Sequence, residues 1–192
     1  MDKLPSPTVT PRWLAQRLAD PDLRILDVRW SLPNGADEDA YRRGHIPGAV
    51  FCNLDTELAA QPGPGGRHPL PDPGAFSAAM RAHGISGATP VVVCDEVTGG
   101  AARAWWLLRA GGHEAVSVLD GGVGGFVGAG GALVTQVEQP VPGDFRATGF
   151  SGWLGKEQIA SGEAEGRLIL DGRARDRILG TPKRLVPRPG HK

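Results

Sequence analysis

The chain has 192 residues, which is enough for one complete α/β domain and part of another. Its 21 basic and 21 acidic residues cancel, so the sequence shows no electrostatic signature of a protein that binds nucleic acid or an acidic membrane surface. Two cysteines are too few for a disulfide framework, and the first residues lack the apolar core of a signal peptide, which favours a cytoplasmic protein.

The first fifty residues predict helices and strands in alternation. Thr10 suits a helix N-cap and Pro11 suits the first helical position, because proline has no N–H to lose there. The predicted elements are a helix at Arg12–Leu18, a strand at Leu23–Val28, a short polar helix at Asp37–Arg43 and a strand at Val50–Phe51.

The middle of the chain continues the alternation after a surface loop rich in proline and glycine at 61–74. Strands that alternate with helices at this spacing predict a parallel sheet covered by helices on both faces. The predicted elements are a helix at Ala75–His83, a buried strand at Val91–Cys94, a helix at Ala101–Ala110 and a strand at Ala115–Leu119.

The predicted site lies after the strand Val91–Cys94. Parallel α/β sheets place their chemistry at the carboxyl ends of strands, and the start of the following helix offers unpaired N–H groups that suit an anion. Asp95 stands where a catalytic group would stand. Cys94 is expected to be buried and inert on the strand, and Cys52 is expected to pack in the interior.

The stretch Val91–Arg109 and the turn Gly44-His45-Ile46-Pro47-Gly48-Ala49 together resemble the rhodanese family, the thiosulfate sulfurtransferases. The closer resemblance is to the N-terminal, non-catalytic domain of two-domain members. It implies an α/β rhodanese-like domain with a parallel central sheet flanked by helices over residues 5–135.

The resemblance also implies an activity. Family members move sulfane sulfur from thiosulfate to cyanide or a thiol acceptor through a cysteine persulfide, and they use no metal or organic cofactor. The family's nucleophilic cysteine corresponds to Asp95 here. A carboxylate cannot carry sulfane sulfur, so this chain is expected to be inactive alone.

Other positions match the family's structural signatures. Asp27 is expected to brace the turn that contains Gly44, His45, Pro47 and Gly48. We assign His45 a structural role, since no partner stands at metal-ligand spacing in the sequence and no metal is expected. Trp30 matches an aromatic residue that faces the interdomain substrate site, with core packing as the alternative. The Asp120-Gly121-Gly122 turn carries Val123 where the family has an aromatic residue, and the glycines that follow predict a weak helix and a loose surface.

The sequence then begins to repeat. Residues 136–152 are predicted to be an interdomain linker. Residues 153–192 are predicted to be the truncated start of a second rhodanese-like domain, because Arg167–Arg173 is similar to Arg24–Arg29 and Gly190-His191 is similar to Gly44-His45. This part predicts one helix and one strand. The resemblance assigns Asp171 to the structural signature and Arg177 to the binding of thiosulfate, or a similar small sulfur anion, in a complete protein.

Two functions remain open from the sequence. One is a thiosulfate sulfurtransferase-like protein without its nucleophile, and the other is a non-catalytic rhodanese-like module that binds a partner of unknown identity or an anion. A second strand followed by a cysteine loop, encoded beyond Lys192, would favour the enzyme.

Overall fold

Runs of β-branched and apolar residues build a parallel sheet at the centre of the computed structural model. The structure describes residues 4, 7–31, 33–63, 66–163, 165–170, 172 and 175. The chain divides into two units, 1–152 and 153–192, and the sheet belongs to the first. Its strands are β1 (Thr8–Val9), β2 (Arg24–Asp27), β5 (Ala49–Phe51), β6 (Val91–Cys94) and β7 (Val116–Leu119).

Among the described residues, five strands pair in the order β1-β7-β6-β2-β5, and all of these pairs are parallel. Asp27, the last residue of β2, lies opposite Cys94 on one side and Phe51 on the other. The carboxyl ends of β5, β2 and β6 therefore lie side by side at one end of the sheet. A small antiparallel ribbon of β3 (Trp30–Ser31) and β4 (Gly35–Ala36) follows β2.

Helices cover both faces of the sheet, which explains why β6 is apolar along its whole length. Val91 and Val93 join one buried cluster and Val92 and Cys94 join the other, since successive side chains point to opposite faces. The helices are α1 (Pro11–Ala15), α2 (Glu38–Arg43), α3 (Leu54–Glu57), α4 (Pro73–Ala82), α5 (Gly100–Ala110), α6 (Gly122–Gly128) and, in the second unit, α7 (Lys156–Ala160).

Helix α1 begins as predicted and ends earlier. The Thr10 hydroxyl accepts a hydrogen bond from the Trp13 N–H at 3.2 Å, and Pro11 opens the helix. The prediction that the helix continues to Leu18 was wrong, because the helix ends at Ala15 and residues 16–19 form turns.

The prediction of a loose surface after Asp120 was also wrong. Helix α6 forms despite its glycines, and Val123 and Phe126 are both buried in the core. Tertiary burial of these two side chains outweighs the poor helix propensity of glycine. Phe126 supplies, one turn later, the aromatic bulk that Val123 lacks.

The segment predicted as a linker packs closely on the first unit. Phe145 is buried, and its ring meets the Phe76 ring edge-on at 5.9 Å. Gly143 lies so close to the backbone of Ile85 that a Cβ atom would collide with it. Residues 136–152 thus help to cover the sheet, and their role as an interdomain connector stays a prediction.

The second unit contains α7, but its predicted strand is not formed in the described residues. Leu168, Ile169 and Leu170 have no strand pairing and are 84, 64 and 80% exposed, so they contribute nothing to a buried core. Asp171, Arg177 and the second Gly-His pair lie outside the described residues. Every helix that the structure describes is too short or too polar to traverse a lipid bilayer.

Candidate functional site: a carboxylate in a backbone cradle

The candidate site is the loop between β6 and α5, at the carboxyl end of the central strand. Asp95 follows β6 directly, and only 4% of its surface is exposed. Its carboxylate accepts hydrogen bonds from the backbone N–H groups of Val97 (2.7 Å), Thr98 (3.2 Å), Gly99 (2.9 Å) and Ala101 (3.1 Å). The donors thus form a ring around one anion.

This arrangement requires a strained backbone conformation at Val97. This β-branched residue has φ = +58°, a left-handed conformation that costs such side chains about 1–2 kcal/mol. Its side chain is exposed, so no burial explains the conformation. The turn directs the N–H groups of residues 97–99 inward, and the strain is offset by the hydrogen bonds that Asp95 accepts.

Two glycines let neighbouring elements approach the loop. A Cβ atom at Gly100 would collide with the carbonyl oxygen of Val28, and one at Gly122 would collide with the carbonyl oxygen of Asp95 itself. Gly122 also has φ = +60°, and the Val123 N–H donates to the Asp95 carbonyl at 2.9 Å. The Asp120-Gly121-Gly122 turn is therefore packed directly against the candidate loop.

A backbone ring of this kind stabilises whichever anion occupies it, because its partial positive charges are fixed in place before the anion arrives. A thiolate in the ring would be activated as a nucleophile. In this chain the anion is a carboxylate tethered to the chain, which fills the ring and has no sulfur to transfer.

Arg29 links the site to the glycine-histidine turn, a role that the sequence analysis missed. Its guanidinium group binds the buried Asp27 carboxylate through Nε (3.0 Å) and Nη2 (2.8 Å). Nη2 also donates to the Gly44 carbonyl at 2.7 Å, and Nη1 donates to the Ala40 carbonyl at 3.1 Å. Asp27 therefore contacts the turn indirectly, through Arg29. The Asp-Val-Arg segment, with an arginine two residues after Asp27, is the sequence signal that could have identified the role of Arg29.

Burial governs the electrostatics of this pair. It raises the pKa of Asp27, against the opposing hydrogen bonds and charge of Arg29. The Asp27 charge in turn raises the pKa of Arg29 against the effect of burial. The Nη1 atom of Arg29 lies 3.8 Å from the Oε1 atom of Glu96 in the candidate loop.

The turn that Arg29 holds has the geometry of a type II turn. Pro47 and Gly48 occupy its centre, Gly48 has φ = +78°, and the Ala49 N–H donates to the Ile46 carbonyl at 2.9 Å. His45 is fully buried and stacks on Tyr41 with ring centroids 4.0 Å apart. Its two ring nitrogens face the carbonyl oxygens of Tyr41 and Gln136, so neither is available to act on a substrate.

Trp30 is half-buried at the edge of the core. Its indole Nε1 donates to Asp55 at 3.1 Å, and its ring meets the His68 ring edge-on at 5.3 Å. Asp55 also accepts from His68 at 3.2 Å and from the Ala36 N–H at 2.9 Å. Asp55 thus connects Trp30 to the β3–β4 ribbon. These contacts explain a packing role for Trp30.

Neither cysteine has the properties of a nucleophile. Cys52 and Cys94 are both free thiols without solvent exposure. Burial raises the pKa of each thiol well above its ordinary value, and nearby carboxylates raise it further. Asp171 and Arg177, the other predicted site residues, lie outside the described part of the chain.

Comparison with known proteins identifies the family of this fold. Residues 10–129 match the model of the rhodanese-like domain. The chain therefore belongs to that family, and its parallel α/β sheet agrees with the assignment.

Several sulfurtransferases are similar to the chain over most of its length. It is 38% identical to a probable 3-mercaptopyruvate sulfurtransferase of Pseudomonas aeruginosa over 95% of the chain and 67% of the relative. It is also 38% identical to a putative thiosulfate sulfurtransferase, SseB, of Mycobacterium tuberculosis over 87% of the chain and 61% of the relative.

Solved structures of sulfurtransferases are also similar to the chain. SseA from Escherichia coli, a 3-mercaptopyruvate sulfotransferase of the rhodanese fold, is 32% identical, with a TM-score of 0.79 over 89% of this chain and 67% of SseA. The 3-mercaptopyruvate sulfurtransferase of Leishmania major is 28% identical, with a TM-score of 0.78 over 92% of this chain and 50% of that protein. The chain therefore spans roughly half to two thirds of the length of these relatives.

Proposed function

We propose that this chain is the non-catalytic part of a two-domain sulfurtransferase, with residues 5–135 as its first domain and residues 153–192 as the start of its second. The proposed donor is thiosulfate or another small sulfur-bearing anion such as 3-mercaptopyruvate, the substrates named for the relatives. In the complete protein a cysteine outside residues 1–192 takes up the sulfur and passes it to a thiophilic acceptor.

The observation that supports this proposal most strongly is the carboxylate of Asp95 in the backbone ring. The ring has the donors that a persulfide site needs, and its occupant is an anion that cannot be displaced without breaking four backbone hydrogen bonds. A domain built in this way keeps the family fold without its chemistry. By resemblance to the family, Arg177 and Trp30 are the proposed substrate-binding residues of the complete protein.

An activity assay tests the proposal. The purified chain, supplied with cyanide and either thiosulfate or 3-mercaptopyruvate, should form no thiocyanate above the level of a Cys52→Ser, Cys94→Ser control. A polypeptide extended by a second domain with a cysteine loop should form it. Turnover by residues 1–192 alone that depends on Cys52 or Cys94 would overturn the proposal.

The second candidate is a rhodanese-like module that binds a partner protein. The same filled ring favours it, since an unreactive copy of an enzyme fold retains surfaces that can be used for binding. The thiocyanate assay of the extended polypeptide distinguishes the two candidate functions. Activity supports the enzyme, and an inactive extended protein supports the binding module.

A further inference from the structure

Three metal-ligating side chains from separate elements meet beside a cavity, away from the Asp95 loop in the sequence. Cys52 follows β5, Glu57 ends α3 and His83 caps the C-terminus of α4. The Cys52 Sγ, a Glu57 carboxylate oxygen and a His83 ring nitrogen all lie within 4.8 Å of one another. We name these three residues the Cys-Glu-His cluster.

The cluster is already organised by hydrogen bonds. The Glu57 Oε2 atom lies 2.9 Å from His83 Nε2 and accepts the Asn53 backbone N–H at 2.9 Å. The Cys52 Sγ lies within 4.8 Å of both the Glu57 carboxylate oxygen and the His83 ring nitrogen. Glu57 therefore contacts His83 directly, and the Asn53 N–H fixes the orientation of its carboxylate.

The 4.8 Å limit on these separations is compatible with ligands around a tetrahedral zinc ion. Zinc binds sulfur at about 2.3 Å and nitrogen or oxygen at about 2.0–2.2 Å, which puts neighbouring ligand atoms roughly 3–4 Å apart. The pair at 2.9 Å has to widen only slightly to admit the ion. His83 and Glu57 are partly exposed, with side-chain exposures of 12% and 27%, so they have room to adjust.

A cavity supplies the entry path and the open coordination position. It has a volume of about 600 Å³, and Glu57 and His83 contribute to its wall together with Asn53, Glu38 and Glu138. Arg42 also lines the cavity and pairs with Glu38 at 2.6 Å. Glu57 and Glu138 leave the wall with a net negative charge, which favours a cation over an anion. Cys52 is fully buried between the lining residues Phe51 and Asn53 in the sequence, and its Sγ lies within 4.8 Å of the two ligand atoms on the wall.

We propose that the Cys-Glu-His cluster binds a zinc ion, with the fourth ligand a water molecule or a small molecule in the cavity. Sulfur and nitrogen ligands select zinc over magnesium or calcium, which prefer oxygen alone. As zinc binds, Cys52 releases its thiol proton to water, and the proton between His83 Nε2 and Glu57 leaves to water or to His83 Nδ1. His83 Nε2 and the Glu57 carboxylate then bind the metal in place of their hydrogen bond. The site is independent of the proposed sulfur chemistry.

Zinc titration of the untagged chain tests the site. After treatment with a chelator, the protein should take up one Zn²⁺ per chain, measured by calorimetry and by competition with a chromogenic chelator. Co²⁺ in place of Zn²⁺ should produce the charge-transfer absorption of a cobalt–thiolate bond, a signal that only a cysteine ligand gives.

Matched variants assign the ligands. His83→Gln and Glu57→Gln alter partly exposed side chains and should each weaken Zn²⁺ binding more than about 100-fold, the upper end of the loss caused by residues that merely orient a ligand. Cys52→Ser should abolish the cobalt–thiolate band. Cys94→Ser, which alters the other buried thiol, and His68→Gln, which alters another histidine–carboxylate pair, should bind Zn²⁺ as the parent does.

Two results would overturn the proposal. One is the absence of stoichiometric Zn²⁺ uptake by the folded parent chain, and the other is equal binding by the parent, His83→Gln and Glu57→Gln. If Cys52→Ser does not fold, the two glutamine variants still decide the outcome, and circular dichroism of each protein establishes that it is folded.

Discussion

The Asp95 carboxylate accepts a hydrogen bond at 3.1 Å from the backbone N–H of Ala101, in the first turn of the helix that follows the central strand. This contact ties the end of β6 to the start of α5. The three further N–H groups of residues 97–99 complete the ring around the same carboxylate. A single carboxylate thus joins four backbone N–H groups between the central strand and the following helix.

We expect Asp95→Asn to destabilise the chain by about 1–3 kcal/mol, since an amide cannot accept hydrogen bonds from donors on both sides. One face of the asparagine would present its NH₂ group to N–H donors. Urea unfolding measures the loss. Glu96→Gln removes the same charge from the next, more exposed residue and should change stability by less than about 1 kcal/mol. Equal losses for the two variants would argue against the cradle.

The buried pair of Asp27 and Arg29 should be strongly coupled. Arg29→Met leaves the Asp27 carboxylate buried without its partner and should cost about 3–5 kcal/mol. The double variant Asp27→Asn, Arg29→Met should cost less than the sum of the two single changes, because it leaves no unpaired charge. Arg42→Met, which breaks the exposed pair with Glu38, is the control and should cost at most about 1 kcal/mol. Additive losses at Asp27 and Arg29 would contradict the coupling.

His113 makes the stability of the chain depend on pH. The side chain is buried, with Nε2 2.8 Å from the Thr89 carbonyl, and burial lowers its pKa below the ordinary value of about 6.5. Below pH 6.5 the unfolded chain binds a proton that the folded chain resists, so stability should rise with pH from the lowered native pKa up to about 6.5. His113→Gln keeps an N–H donor and cannot titrate.

Urea midpoints at several pH values between about 5 and 7 measure this dependence. The rise should be smaller in His113→Gln than in the parent chain. Identical slopes in the two proteins would mean that protonation of His113 is not linked to unfolding.

The sequence was sufficient to predict the features that depend on local patterns. Four consecutive apolar residues predicted the buried strand Val91–Cys94, and Pro47-Gly48 predicted the tight turn. The resemblance gave the family and the α/β fold, and both are confirmed by the matching family model and the solved relatives. The sequence also singled out Asp95, and its carboxylate accepts four backbone hydrogen bonds in the loop after the central strand.

Features that depend on tertiary contacts could not be read in this way. Helix α6 forms because Phe126 and Val123 are buried in the core. The low helix propensity of its glycines gives no indication of this burial. The apolar run Leu168–Leu170 has the composition of a strand, yet no neighbouring strand pairs with it among the described residues. The Cys-Glu-His cluster was missed because its ligands lie on three elements, and spacing along the chain carries no signal for such a site.

If the loop after β6 is an anion cradle occupied by a carboxylate, the thiol of Asp95→Cys should have a lowered pKa. The rate of alkylation is measured against pH. The parent chain serves as the blank, since Cys52 and Cys94 are fully buried. A cradle should stabilise the thiolate and lower the pKa of the new thiol well below the ordinary value of about 8.5. A pKa at or above that value in the folded variant would contradict the account.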